Sequence, residues 1–328
     1  MTKNKFLIIG LLVLPSISIA ESMPDADMVS EWVSFLASDE LQGRANGTPS
    51  IREASEWIAG HFADAGLAHA PGAGSYFQEY MPEKKIPYRN VIGYLSGSDP
   101  SLANEYIVLS AHYDHIGVDG LKIFNGADDN ASGTSTVVGL AYRLAKLKPG
   151  RSILFIAWSG EEEGLLGSRH YTTQPMLPLE DAVLNLNFEM VGHTEGNGKH
   201  QFWVTGAEHS TLFPALRKMG DEVGWKVAPN PFTDLQLFWR SDNASFVQLQ
   251  VNEATRTIYG VPAHSISTWG QEGHYHAPSD TADTLDYENL AALIEVMGDM
   301  VNRLANQPDT IDWKDNPNFH LRHYDEKQ

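Results

Sequence analysis

Apolar residues recur at helical spacing in the first part of the chain and place Trp32, Phe35 and Leu36 on one face of a helix over residues 27–37. Trp57, Ile58 and Phe62 do the same for residues 50–65, and Gly66 closes that helix. The intervening Gln-Gly-Arg-Ala-Asn-Gly-Thr-Pro, residues 42–49, is a turn-rich loop. Beyond a glycine-rich stretch at 69–75 the period shortens, and the runs at 90–94 and 106–111 predict strands. Residues 152–158, Ser-Ile-Leu-Phe-Ile-Ala-Trp, read as a strand buried on both faces. Residues 182–188 predict a third buried strand, and 260–267 a further one beyond a middle region of no clear period. Helices are predicted over 132–147, after Gly164, and along Leu290, Leu293, Ile294, Met297, Val301 and Leu304.

Strand, loop and helix repeating in this way imply an α/β fold of three layers, α/β/α, with a mixed, largely parallel central sheet. The pattern supports one domain over residues 21–307, with 308–328 as a polar, loosely attached tail. In the middle region Trp203, Phe232, Leu235 and Trp239 read as core in preference to pocket wall.

With 328 residues, 42% of them apolar, the chain can bury a large core. The formal net charge of −19 disfavours nucleic acid and acidic membranes as partners and favours cationic or amine-bearing ligands. Residues 1–20 carry Lys3 and Lys5, a short apolar core and small residues at Ser18 and Ala20, the pattern of a secretory signal. The mature protein is therefore expected in the periplasm or the medium. No later run is long and apolar enough for a membrane helix. The chain contains no cysteine, which excludes disulfides, thiolate metal ligands and a lipidated signal-peptide cysteine.

The 152–158 run ends abruptly in Ser159-Gly160 and three glutamates, 161–163. Carboxylates at the carboxyl end of a buried strand are costly to desolvate unless a cation neutralises them. Open α/β sheets also bind their ligands at that end. Two other predicted strands end in similar chemistry, Ala111-His112-Tyr113-Asp114-His115 and Asn187-Phe188-Glu189. Loops add Gly-Ala-Asp-Asp-Asn-Ala-Ser-Gly at 126–133 and Tyr-His-Ala-Pro-Ser-Asp at 275–280. Two imidazoles and three carboxylates, one of them shared, suit two borderline divalent ions such as zinc. The chain has no HExxH, no GxSxG, no P-loop and no complete GxGxxG.

Five motifs in this order resemble the M28 family of co-catalytic zinc metallopeptidases, of aminopeptidase type. They are His-x-Asp at 112–114, the 126–133 loop, Glu-Glu-x-Gly-Leu-x-Gly-Ser at 161–168, Asn-x-acid at 187–189 and His-x-x-x-Asp at 276–280. The resemblance is strongest over residues 90–304, and Ser241–Phe246 shares it. It implies that Asp129 bridges two zinc ions, one completed by Glu162 and His276, the other by His112 and Glu189. Glu161 is then the general base, and Asp114 orients His112. Asp280 either orients His276 or closes a turn, and the Asp129–Asn130 peptide is expected to be cis.

The chain departs from the family at Glu189, where aspartate is commoner, and at residues 251–259, which look like an added segment. His115, His170, His193, His209 and His264 read as packed or surface residues, and Asp128 as a loop hydrogen bonder. Arg240 and Asp242 either line the cleft or pair on the surface. The activity implied is removal of amino-terminal residues from peptide substrates. The alternatives are a carboxypeptidase or a glutaminyl-type cyclase on the same fold, or a metal-free binding protein.

Overall fold

The computed structural model describes residues 23–82, 86–247, 251–252, 257–258, 260–271 and 273–314. The secretory signal read at 1–20 lies outside them. So does most of the added segment at 251–259, of which only two short paired strands are described.

The chain opens with α1 (Ala26–Leu36), whose start is fixed by the Asp25 carboxylate accepting the Met28 N–H at 2.9 Å. Next comes α2 (Pro49–Asp64), with Thr48 as its cap and proline in its first turn. The strands β1 (Phe77–Tyr80), β2 (Tyr88–Leu95) and β3 (Tyr106–His112) follow. A hairpin of β4 (Gly117–Asp119) and β5 (Lys122–Phe124) leads to α3 (Gly133–Leu147). Then come β6 (Ser152–Trp158), α4 (Leu166–Thr173), β7 (Ala182–Phe188), β8 (Gln201–Val204), α5 (Leu212–Val223) and β9 (Lys226–Pro229). The chain continues through α6 (Asn243–Val247), β10 (Val251–Asn252), β11 (Thr257–Ile258) and β12 (Ala263–Ser267) to α7 (Tyr287–Asn306).

Eight strands form one mixed sheet in the order β1-β2-β6-β3-β7-β12-β8-β9. The central four, β6, β3, β7 and β12, are parallel, and antiparallel pairings flank them at β2/β6 and β12/β8. Period-2 burial explains the two apolar layers. In β3, Ile107, Leu109 and Ala111 pack with α1, α2, α3 and α7, while Tyr106 and Val108 pack on the opposite face with Tyr171 and Phe246. In β6 the split is Ile153, Phe155 and Ala157 against Leu154, Ile156 and Trp158. The register sets His112 beside Trp158 and Ser110 beside Asn187, so three strands deliver their last residues to one edge of the sheet.

The strands at 106–112, 152–158 and 182–188 agree with the sequence pattern. The structure adds β1, β8 and β9, short strands of four residues each at or next to the sheet edges, and the β4–β5 hairpin. The tail expected to be loose is tied down at its start. Trp313 Nε1 donates to the Gly260 carbonyl at 2.8 Å, and Lys314 N–H to the His209 carbonyl at 2.8 Å.

His264 in β12 is fully buried, with Nδ1 at 2.7 Å from the Thr205 carbonyl and Nε2 at 2.7 Å from the Ser210 hydroxyl. A carbonyl only accepts, so Nδ1 carries the proton and Nε2 accepts from serine, which is the neutral ring. Burial lowers its pKa to about 4. An unfolded histidine titrates near 6.5, so the unfolded state binds the extra proton first and stability falls as pH drops through that window. The expected loss between pH 6.5 and 4 is about 3 kcal/mol. Chemical denaturation across that range should show a shallower pH slope for His264→Gln than for the parent chain.

Candidate metal centre

Gly126 enters the ligand loop in the left-handed region, φ 59°, where a Cβ would strike the Asp129 carbonyl and the His115 ring. The Asp129–Asn130 peptide is cis. Asn130 then staples the loop to the end of β7. Its Nδ2 donates to the Phe188 carbonyl at 2.9 Å, and its Oδ1 accepts the N–H groups of Gly133 and Met190. The loop therefore meets β7 at the position from which Glu189 projects.

The expected ligands converge. His112 Nε2 lies 3.3 Å from Asp129 Oδ1 and 3.0 Å from Glu189 Oε1. His276 Nε2 lies 3.2 Å from Asp129 Oδ2 and 3.2 Å from Glu162 Oε2. The two Asp129 oxygens thus face different imidazoles, and two ligand groups share one carboxylate. Tetrahedral zinc with bonds of about 2.0–2.1 Å requires ligand atoms about 3.3 Å apart. Three of the four contacts, at 3.2–3.3 Å, match that edge, and His112–Glu189 at 3.0 Å is somewhat shorter, so the donor set suits the implied ions in chemistry and in most of its spacing.

The protonation pattern agrees. Burial alone would lower the His112 imidazole, but Glu189, Glu161 and the contact with Asp129 outweigh it and raise it well above its ordinary value. Contacts with Asp129 and Glu162 push His276 up to about 10. Burial opposes ionisation of Asp129, yet the same imidazoles hold it well below the usual carboxylate range. These carboxylates favour the protonated imidazoles, and a zinc ion bound there would displace those protons.

His115, which the sequence reading set aside as a packed residue, reaches the centre. Its Nδ1 is 2.8 Å from Glu162 Oε1 and 3.9 Å from Asp129 Oδ2. The shorter distance is that of a hydrogen bond, and His115 forms with Asp129 and Glu162 a second group able to hold an ion, on the side of the centre that His276 also faces. The repeated histidine of His-Tyr-Asp-His was the available signal.

Two supporting carboxylates hold backbone N–H groups rather than an imidazole. Asp114 was expected to orient His112, but the Asp114 backbone carbonyl takes His112 Nδ1 at 3.1 Å while its carboxylate lies 3.8 Å away. That carboxylate instead accepts the N–H groups of Glu161 and Glu162 at 3.2 and 3.3 Å, and Asn46 Nδ2 at 2.7 Å. Burial pushes it up to about 6, against the pull of His112. Asp280, expected to orient His276 or close a turn, closes one with its N–H on the Ala277 carbonyl at 3.0 Å, and its carboxylate clasps the N–H groups of Asp128 and Asp129 at 2.8 and 3.0 Å. Each carboxylate grips a backbone pair that carries a ligand. Asp280→Asn turns an amide N–H towards one of those donors, and it is expected to weaken zinc binding about 10- to 100-fold in chelator competition.

Glu189, one methylene longer than the commoner aspartate, is braced by Ser241, whose hydroxyl donates to Oε2 at 2.5 Å. Asp242 is buried and accepts from Ser168 at 2.5 Å, which removes the surface ion-pair reading. Arg240 lines a cavity of about 90 Å³ beside Asp129, Glu161, Glu189 and His276. Its remaining walls include Trp203, Leu237, Trp269 and Tyr275, so Trp203 serves as pocket wall as well as core. Tyr275 stacks on His276 with ring centroids 4.0 Å apart.

Comparison with known proteins bears on the fold and the family of this chain. The chain is 28% identical over 202 residues to aminopeptidase YwaD of Bacillus subtilis, a match covering 60% of this chain and 40% of that protein. It spans 36–41% of the length of the first curated relatives it matches. Among solved structures, a zinc aminopeptidase from Bacillus subtilis superposes with a TM-score of 0.66 at 16% identity, covering 88% of this chain and 98% of that one. Porphyromonas gingivalis glutaminyl cyclase superposes with 0.65 at 19% identity, covering 86% and 99%. The model of peptidase family M28 matches residues 90–301, a span that holds all five expected ligands, and the chain belongs to that family.

Proposed function

We propose that the mature chain is an exported zinc aminopeptidase that removes amino-terminal residues from peptides. The observation that carries this reading is the shared carboxylate, with Asp129 Oδ1 facing His112 and Oδ2 facing His276. Export is read from residues 1–20. When bound, two ions would acidify a water and polarise the scissile carbonyl. The chain's own part is proton transfer and positioning. Burial, with Glu189, Asp242 and Glu162 nearby, raises the Glu161 carboxyl well above the usual carboxylate range, against the opposing His112. A carboxylate at this position can take a proton from water and return it to the leaving amine.

The cavity beside Glu161 receives the amino-terminal side chain in this reading. Its serine hydroxyls are committed to the protein: Ser241 donates to Glu189, Ser265 to Asn243 and Ser267 to the Met190 carbonyl. Tryptophan and leucine walls therefore set the preference. Leucyl amides are expected to be cleaved about 10- to 100-fold faster than glycyl or aspartyl amides. The same panel tests the reaction class. Amino-blocked peptides should resist cleavage, release from the carboxyl end would indicate a carboxypeptidase, and ring closure of amino-terminal glutamine would indicate a cyclase.

A further inference from the structure

Arg44 is fully buried, and it lies outside the span matched by the family model. Its Nε donates to the Tyr113 carbonyl at 2.8 Å. Its terminal nitrogens donate to the carbonyls of Asn125 at 2.7 Å, Gly126 at 2.9 Å and Leu36. Tyr113 sits between His112 and Asp114, and Gly126 opens the loop that carries Asp129. One guanidinium therefore joins the end of α1 to both ligand-bearing segments. The surrounding loop is fitted for this. Gly43 adopts φ 66°, a Cβ there would strike the Phe124 and Gly117 carbonyls, and the Arg44 carbonyl accepts the His115 N–H at 3.4 Å.

The charge matters as much as the fork. Asp280, Asp129, Asp114 and Glu162 all act on the guanidinium and favour its charged form. Burial is the larger effect and lowers it to about 10, so it stays positive at neutral pH. A permanent cation thus lies beneath the carboxylates on their protein side.

We propose that Arg44 is a positioning residue of the metal centre, setting the separation of the His112 strand end from the Asp129 loop and so the affinity for both ions. This rests on the metal centre proposed above. Lysine keeps the charge but has no planar fork with which to hold four carbonyls. Arg151 is the matched control. It is also buried, and it donates to Glu105 and to the carbonyls of Leu304, Gln307 and Pro308, but at the amino end of β6, away from the ligands.

Zinc affinity is measured on the full chain by competition with a chromogenic chelator, alongside thermal unfolding. Arg44→Lys should lose about 10- to 100-fold in zinc affinity, the range seen when a residue behind a ligand is changed. Arg151→Lys should bind zinc as the parent does, although both variants unfold at lower temperature. Unchanged zinc affinity in Arg44→Lys, or an equal loss in both variants, would make Arg44 a strut of the fold alone and overturn the proposal. Should Arg44→Lys fold only with zinc present, the zinc concentration at half-refolding replaces the affinity, and a parent-like value has the same force. A parent chain that takes up no zinc overturns the metal centre together with this inference, so the parent measurement tells the two failures apart.

Discussion

Asp129→Ala is expected to strip the chain of both ions and to abolish hydrolysis of leucyl amides, by at least about 10³-fold. Among the described residues no other side chain belongs to both ligand groups: one Asp129 oxygen lies 3.3 Å from His112 and the other 3.2 Å from His276. Alanine leaves each group short of a ligand. His112 with Glu189, and His276 with Glu162, are then two-ligand fragments, below the three protein ligands usual for catalytic zinc. The imidazoles, which hold Asp129 well below the usual carboxylate range, also lose that carboxylate as a partner. Metal analysis after dialysis should give less than one zinc per chain, and added zinc should no longer raise the unfolding temperature. Two tightly held ions in this variant would mean that Asp129 is not the bridge.

The difference between what the sequence showed and what it hid follows from the range of the interactions. Buried parallel strands such as 152–158 declare themselves because both faces are apolar, and their glutamate-rich ends mark the site. Edge strands such as Lys226–Pro229 carry alternating or exposed residues over four positions, too short for a period to emerge. The expected ligand set was legible in the sequence because metal chemistry restricts its residue types, and the structure brings those residues together. Partners of the ligands were less so, since any acceptor can fill such a role. Asp114 and His112 are two residues apart, and only the fold reveals that the imidazole takes a carbonyl while the carboxylate turns to the Glu161–Glu162 backbone. His115 depended on a rotamer that no spacing specifies. Arg44 depends on four carbonyls spread over residues 36–126, which no local pattern encodes.

Glu161→Gln separates proton transfer from metal binding. The amide keeps nearly the shape of the carboxyl, and the backbone N–H that donates to Asp114 at 3.2 Å is unchanged. Glu162, which faces His276 and His115, is also untouched. Zinc content should therefore equal that of the parent chain. Removing a charge near Glu162, Glu189 and Asp242 relieves like-charge repulsion, so the unfolding temperature should hold or rise. Turnover should still fall about 10²- to 10⁴-fold, because glutamine can neither take the proton from water nor return it to the amine. The loss should sit in kcat with KM nearly constant, the mark of a group that acts in the transition state. Parent-like turnover would remove Glu161 from the reaction, and loss of zinc from this variant would recast it as a ligand.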